Sequence, residues 1–292
     1  MKNQLTASKV LIYIFLTILA VTFVLPMILV VIVSFTDEMS IGMNGYSFIP
    51  QTWSAEAYSR LFYPGSSVYR SYGVTILVTV GGTVLAVLIT FLAAYPLSNR
   101  EVKYRNGFAL FFFVTTVFNT GLVPWYLMCR RLGLYDNLLA LIVPSMIFSP
   151  FNMFLTRNYI KSIPEALMES ARIDGAGELR IAFQIYFPLC KPILATITLF
   201  YGINYWNSWF NAVMLLDNSE LYPLQMLLFR LQSDIRMLTD LASSGASDRT
   251  FVPPMESFKM ATVVVTVGPI LLFYPFLQRY IVKGIMIGSI KG

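Results

Sequence analysis

Long apolar runs separated by short polar clusters set the pattern of this chain. Six of these runs are long enough to cross about 30 Å of hydrocarbon at about 1.5 Å rise per residue. They extend from about Val10 to Phe35, Tyr72 to Leu97, Gly107 to Met128, Leu138 to Tyr159, Cys190 to Leu216 and Met260 to Val282. Lys2 and Lys9 precede the first run, as in a signal peptide. Its apolar stretch exceeds the usual 7–15 residues, however, and no small-x-small cleavage site follows, so it reads as an uncleaved span. Pro26, Pro124, Pro144, Pro269 and Pro275 fall inside spans, where a proline bends a helix whose neighbours satisfy the freed carbonyls. The pattern predicts an all-α membrane protein with six transmembrane helices, a single domain over residues 1–292 with its core at about 72–282.

Two connecting segments are long. Residues 36–71 carry Gly42, Gly45, Pro50, Pro64 and Gly65 and read as turns and loop. Residues 216–259 hold a possible surface helix, Leu224 to Leu241, followed by the flexible run Ser243 to Ser247. Such segments suit either a partner that docks from outside or a solvated cap.

Composition supports a membrane solvent. Hydrophobic residues make up 57% of the 292 and charged residues only 12%, against about 25% charged in a soluble domain. The net charge of +6 suggests nucleic acid less than it suggests loop placement. With the N-terminus inside, Arg60, Arg70, Arg130, Arg131, Arg230, Arg236, Arg249 and Lys259 fall outside and the other 13 of the 21 basic residues inside, which is the expected bias. Both termini are then cytoplasmic. The pair Arg130–Arg131 runs against the trend. There is no histidine, and Cys129 and Cys190 fall on opposite sides, so neither a zinc site nor a disulfide framework is expected.

The most charged stretch, about 162–188, is inner and not loop-like. Ser162 with Glu165 fits a capping box, and Pro164 is tolerated in a first turn. A helix should run to about Asp174, where Asp174-Gly175 offers a turn with positive φ, and a second, Glu178 to Phe187, should stop at Pro188. Glu165, Glu169 and Arg172 share one helix face, while Ala166, Ser170 and Ile173 form another. A short helix of this kind can sit in a groove of another protein or lie on the membrane surface.

This segment resembles the Glu-Ala-Ala loop of importer permeases of the ATP-binding-cassette (ABC) class. Glu169-Ser170-Ala171 stands for Glu-Ala-Ala, Ile173-Asp174-Gly175-Ala176 matches, and Ile185-Tyr186-Phe187-Pro188-Leu189 with Pro192 closes the pattern. Ser170 for alanine and Phe187 for leucine are the departures. Leu132-Gly133-Leu134 with Asp136, Gln278-Arg279-Tyr280 with Lys283-Gly284, and terminal Lys291-Gly292 resemble the carbohydrate branch. Asn119 to Pro124 and Tyr205 to Asn211 resemble the oligosaccharide subgroup.

The resemblance implies a permease half in a bacterial cytoplasmic (inner) membrane. It would pair with a second homologous permease, two cytoplasmic ATPase subunits holding ATP and Mg, and an extracellular solute-binding protein that delivers a sugar or oligosaccharide. No cofactor would be bound by this chain. Glu165, Glu169, Ser170, Ala171, Ile173, Asp174, Gly175 and Ala176 would form the ATPase-coupling site. The tail from Ile285 to Gly292 is a lesser contact.

The fifth span carries Tyr201, Asn204, Tyr205, Trp206, Asn207, Trp209 and Asn211. Amides in hydrocarbon need a water-filled cavity or a partner helix. Asn204, Tyr205 and Asn207, with Tyr201, Trp206 and, in the third span, Asn119 and Tyr126, are therefore candidates for the sugar path. An interfacial aromatic belt and interhelical hydrogen bonds are the alternatives.

Several classes are excluded. No P-loop occurs, and without histidine no Ser-His-Asp or Cys-His arrangement can form, so no catalytic residue is expected. No carboxylate lies within a span, against a proton-coupled secondary transporter. An ATP-driven permease for another polar solute, such as a peptide, differs only in cargo.

Overall fold

A computed structural model describes residues 7–118, 120–144, 146–243 and 256–286. Among these residues the structure is helical, apart from one isolated antiparallel bridge between Thr36 and Trp53. Helices α1 (Ala7–Ser34), α2 (Glu38–Asn44), α3 (Glu56–Leu61) and α4 (Ser67–Ser98) come first. They are followed by α5 (Arg105–Val117), α6 (Leu122–Arg131), α7 (Leu139–Ile142), α8 (Pro150–Ile160) and α9 (Ala166–Ile173). A composite helix then joins α10 (Glu178–Arg180), a π-helical stretch Ile181–Tyr186, and α11 (Phe187–Leu189). The chain continues through α12 (Lys191–Trp206), α13 (Phe210–Leu215), α14 (Leu224–Ser243) and α15 (Glu256–Met286).

Helices α1 and α4 are each long and apolar enough to cross a bilayer, and two bent pairs, α5 with α6 and α10–α11 with α12, pass the same test jointly. Three expected spans are thus interrupted. The third breaks between Val117 and Leu122, the fourth between Ile142 and Pro150, and the fifth between Trp206 and Phe210. Residues 36–71 are less loop-like than the sequence suggests, since they contain α2, α3 and the start of α4. The surface helix expected at 224–241 is present as α14, and most of the following flexible run lies outside the described residues.

The chain divides into two compact units, Met1–Tyr69 with Leu228–Pro269, and Arg70–Leu227 with Ile270–Gly292. In the first, α1 exposes nearly all its apolar side chains, as suits lipid. Its end is tied to the following segment. Ser34 bonds the Tyr58 hydroxyl at 2.7 Å, and the Phe35 and Tyr58 rings stack at 4.5 Å. Asp37 caps α2, accepting from the Met39 and Ser40 amides. Glu38 reaches the start of α15, where its carboxylate accepts from the Glu256 amide at 2.9 Å, the Ser257 amide at 3.0 Å and the Ser257 hydroxyl at 2.7 Å. These are orphan donors of a helix N-terminus, and the acid there is also favoured by the helix dipole.

In the second unit the core lies between α4 and α12. Phe91, Ile181, Ile197, Met153 and Tyr205 are among its most buried side chains. The Phe91 ring meets Phe187 edge-on at 5.0 Å, so the composite helix packs on α4 through aromatics. Gly82 makes a notch for the Tyr205 ring, and a Cβ there would come within 2.5 Å of its Cζ. The glycine is needed for this close approach.

The break between α7 and α8 follows from Pro144, which lacks an N–H, and from Pro150, which fits the first turn of a new helix. Ser149 precedes it as N-cap, in extended backbone. Leu141 and Ile142 are buried, so the freed backbone groups cannot turn to water. Side chains after Pro188 satisfy them. The Tyr205 hydroxyl donates to the Ile142 carbonyl at 2.9 Å, and Asn211 Nδ2 donates to the Pro144 carbonyl at 2.9 Å. The Ser149 amide donates to the Tyr201 hydroxyl at 2.9 Å, and that hydroxyl also bonds Thr90 of α4 at 2.7 Å.

Tyr205→Phe leaves a buried carbonyl unpaired and is expected to destabilise the detergent-solubilised protein by about 1–3 kcal/mol. Gly82→Val should cost at least as much by displacing the same ring, while Tyr63→Phe on the exposed surface should be neutral. Thermal unfolding midpoints compare the three. At the other unit, burial pushes the Glu256 carboxyl up, but hydrogen bonds from Lys259 and Tyr46 outweigh it and leave the pKa below its ordinary value. Its contribution is therefore present above the ordinary carboxylate range and fades as pH falls through the lowered value. Hydrogen exchange at the start of α15 should accelerate on acidification, and Glu38→Ala should accelerate it already at pH 7, by removing a cap worth about 0.5–2 kcal/mol.

Candidate functional site

Two places gather the residues singled out by the sequence. The first is the corner formed by α9 and the composite helix. Helix α9 ends in a Schellman arrangement, in which the Ala176 amide donates to the Ala171 carbonyl at 2.9 Å and the Gly175 amide to the Arg172 carbonyl at 3.0 Å. Gly175 has φ +77°, and open space surrounds the site of a Cβ, so it is the backbone conformation that calls for glycine.

The start of α9 differs from expectation. The Ser162 hydroxyl donates to the Tyr159 carbonyl at 2.7 Å, and Glu165 sits at the N-cap in helical conformation with no side-chain cap bond. The capping box therefore does not form, because the turn closing α8 claims the serine. Pro188 likewise does not stop the second helix. It enters α11 in the first turn, where its missing N–H matters little, and the bend of 81° falls at Cys190 instead.

Burial sorts the α9 faces. Met168 and Ala171 point into the core. Glu165, Ala166, Glu169, Ser170, Ile173, Asp174 and Gly175 are exposed. Ile173 is 86% exposed and Leu179, just beyond the turn, 73%. Two aliphatic side chains left open beside acids are unusual for a solvated turn and suit a surface that a partner covers. The expected charged face is already partly used within the chain. Arg172 donates to Glu178 at 2.7 Å and to Glu101 at 2.7 Å, and Arg100 meets Glu165 at 3.0 Å. Hydrogen bonds to Glu101 and then Glu178 raise the guanidinium pKa further.

The second place is a cavity of about 600 Å³ between α12 and the 146–152 segment. Tyr201, Asn204 and Asn207 line it, with Phe200, Ile203, Phe148, Ser149 and Asn152. Tyr205 and Trp206 are not among its walls. Tyr205 belongs to the core, locked by Gly82 and the Ile142 carbonyl. Asn207 also accepts a hydrogen bond from Gln225 at 3.2 Å. Asn119 lies outside the described residues, and Tyr126 packs instead near Tyr135 and Arg130. Ser149 and Asn152 were not anticipated as wall residues. Their signal was the Ser-Pro pair at 149–150, which marks a helix start inside what looks like one continuous span.

The walls offer amides, hydroxyls and rings, with tyrosine as the sole ionisable type among the lining residues. Such a surface can hydrogen-bond the hydroxyls of a polar solute and stack on its apolar faces.

Comparison with known proteins agrees. The family model described as "Binding-protein-dependent transport system inner membrane component" matches residues 5–287. Protein LplC of Bacillus subtilis is 38% identical over 270 residues, covering 92% of this chain and 90% of that protein. The polygalacturonan/rhamnogalacturonan transport system permease protein YtcP of Bacillus subtilis is 38% identical over 293 residues and the full length of both. A chain in the crystal structure of a bacterial ABC transporter involved in the import of the acidic polysaccharide alginate matches with a TM-score of 0.83 and 31% identity, over 96% of this chain and 98% of that one. Matched along nearly its whole length by transport permeases, the chain belongs to the family of binding-protein-dependent transport system inner membrane components, and is a non-enzymatic permease subunit of an ABC importer.

Proposed function

We propose that this chain forms half of the membrane pathway for an oligosaccharide, and that the corner at 162–188 couples it to cytoplasmic ATPase subunits. The observation that carries this reading is the corner itself. Its inner face is anchored in the core by Met168 and Ala171, and its outer face presents Ala166, Ser170, Ile173 and Leu179 to a partner. A side held in the core and a side left open let force on the corner reach α12 rather than bend a loop.

In this reading the chain crosses the membrane six times, with both termini and the corner cytoplasmic, as the distribution of basic residues supports. A second homologous permease completes the pathway. A solute-binding protein delivers the cargo from outside, and the partner ATPases hold the ATP and Mg. The cargo assignment draws on the amide, hydroxyl and aromatic walls of the cavity and on the polysaccharides for which YtcP and the alginate importer are named. Asn204 and Asn207 take the roles of hydroxyl partners, and Phe148 and Phe200 those of stacking surfaces. Of the tail from Ile285 to Gly292, residues 287–292 lie outside the described residues.

Gly175→Val places a β-branched residue at positive φ, and Glu169→Lys inverts a charge on the open face. Each is expected to leave membrane insertion intact and to reduce uptake by the complete complex at least tenfold, scored as entry of a labelled oligogalacturonide into proteoliposomes. Normal uptake by both variants would remove the coupling role. Asn204→Leu combined with Asn207→Leu should lower the transport rate severalfold while the complex purifies in normal yield. An unchanged rate would take these amides out of the pathway.

A further inference from the structure

Helix α9 is held from behind at both ends by two consecutive residues. Arg100 meets Glu165 at the N-cap and Glu101 meets Arg172 in the last turn. Glu165 and Arg172 are seven residues apart, two turns of helix, and so project from one face, about 10 Å apart along the axis. Residues 100 and 101 carry opposite charges in the order that matches the opposite charges at 165 and 172. Exchanging the two would set like charges against each other at both ends.

Residues 100–101 lie in the turn that directly follows α4. Ser98 caps back to the Tyr95 carbonyl at 2.6 Å, and the Glu101 amide donates to the Asn99 side chain at 2.9 Å. The Tyr95 hydroxyl reaches the free oxygen of Glu178 at 3.1 Å, on the far side of the corner. Arg157 of α8 donates through Nε to the Leu97 carbonyl at 2.8 Å. The end of α4 is therefore a junction joined to α8, to both ends of α9 and to the start of the composite helix.

We propose that Arg100 and Glu101 are positioning residues forming a charge-matched bracket, through which movement of α9 is delivered to α4 as well as along the chain into α12. The proposal rests on the reading of α9 as the ATPase-docking helix and adds a second route out of it. The bracket acts on orientation rather than stability. The Arg100–Glu165 pair is largely exposed, with side chains 77% and 53% accessible, and exposed pairs contribute little to folding. Two such pairs at opposite ends of a short helix still fix its rotation about an axis that neither could fix alone. The fork of Arg172, shared between Glu101 and Glu178, gives one end a directional contact. Without the bracket α9 would still be joined to the composite helix through the Gly175 turn, but could pivot there before α4 moved.

The test leaves α9 itself untouched, so that its docking face stays native. Arg100→Glu together with Glu101→Arg reverses both contacts at constant net charge. The complete complex, with partner permease, ATPases and binding protein, is reconstituted in proteoliposomes with oligogalacturonide as the probe cargo. Cargo moved per ATP hydrolysed should fall at least threefold, with complex yield and ATPase retention unchanged. Arg100→Glu alone should show part of the loss, and Arg100→Lys, which keeps the charge that meets Glu165, should show none. A wild-type ratio in the reversed variant, a loss in Arg100→Lys as large as in Arg100→Glu, or loss of ATPase from the reversed complex would each overturn the bracket. Gly175→Val, run in parallel, separates the two ideas. If it too transports normally, the coupling role of α9 fails; if it is inactive while the reversed variant is normal, only the bracket does.

Discussion

A buried backbone carbonyl must find a hydrogen bond, and much of the second unit is arranged around that demand. Pro144 and Pro150 open a gap between α7 and α8 in a place shielded from water. Tyr205 and Asn211 satisfy the carbonyls of Ile142 and Pro144, and Tyr201 receives the Ser149 amide. Each bond spans more than 50 residues of sequence. The two from Tyr201 and Tyr205 fix the rotation of α12, the one from Asn211 holds α13, and Gly82 makes room for the Tyr205 ring.

Fixing that rotation also determines what α12 shows elsewhere. With Tyr201 and Tyr205 turned to the broken segment, Phe200, Ile203, Asn204 and Asn207 turn to the cavity. Tyr201 serves both sides. Aromatic and amide side chains close together on one helix thus divide between holding the backbone and facing the proposed cargo. The same interruption that creates the demand for hydrogen bonds contributes Ser149 and Asn152 to the cavity wall.

The corner shows a comparable division of charge. Glu165 and Arg172 are engaged within the chain, by Arg100, Glu101 and Glu178, whereas Glu169, Ser170 and Ile173 face outward. An ionic back and an open front let a short helix stay in register with its own protein while a partner binds. The π-helical stretch that follows keeps Phe183 and Phe187 against Phe91, so the corner and the core of the second unit share one aromatic contact.

What the sequence determined alone is what depends on local chemistry. Apolar length marked α1 and α4, Asp174-Gly175 marked the positive-φ turn that closes α9, and the pattern from Glu169 to Pro192 identified an importer permease. Each needs only neighbouring residues to be legible, since hydrophobic length, glycine's freedom at positive φ and helix-face spacing are properties of a segment. What the tertiary structure decided depended on distant partners. The Ser162–Glu165 box gave way to the turn of α8. Pro188 was absorbed into a first turn, and the continuous apolar run at 138–159 was broken because side chains some 60 residues later could satisfy its carbonyls. Tyr205 and Asn204 are adjacent and look equally suited to a sugar, yet one is locked in the core and the other lines the cavity. A helix places successive residues about 100° apart, and only the packing of α12 against α4 settles which of them faces inward.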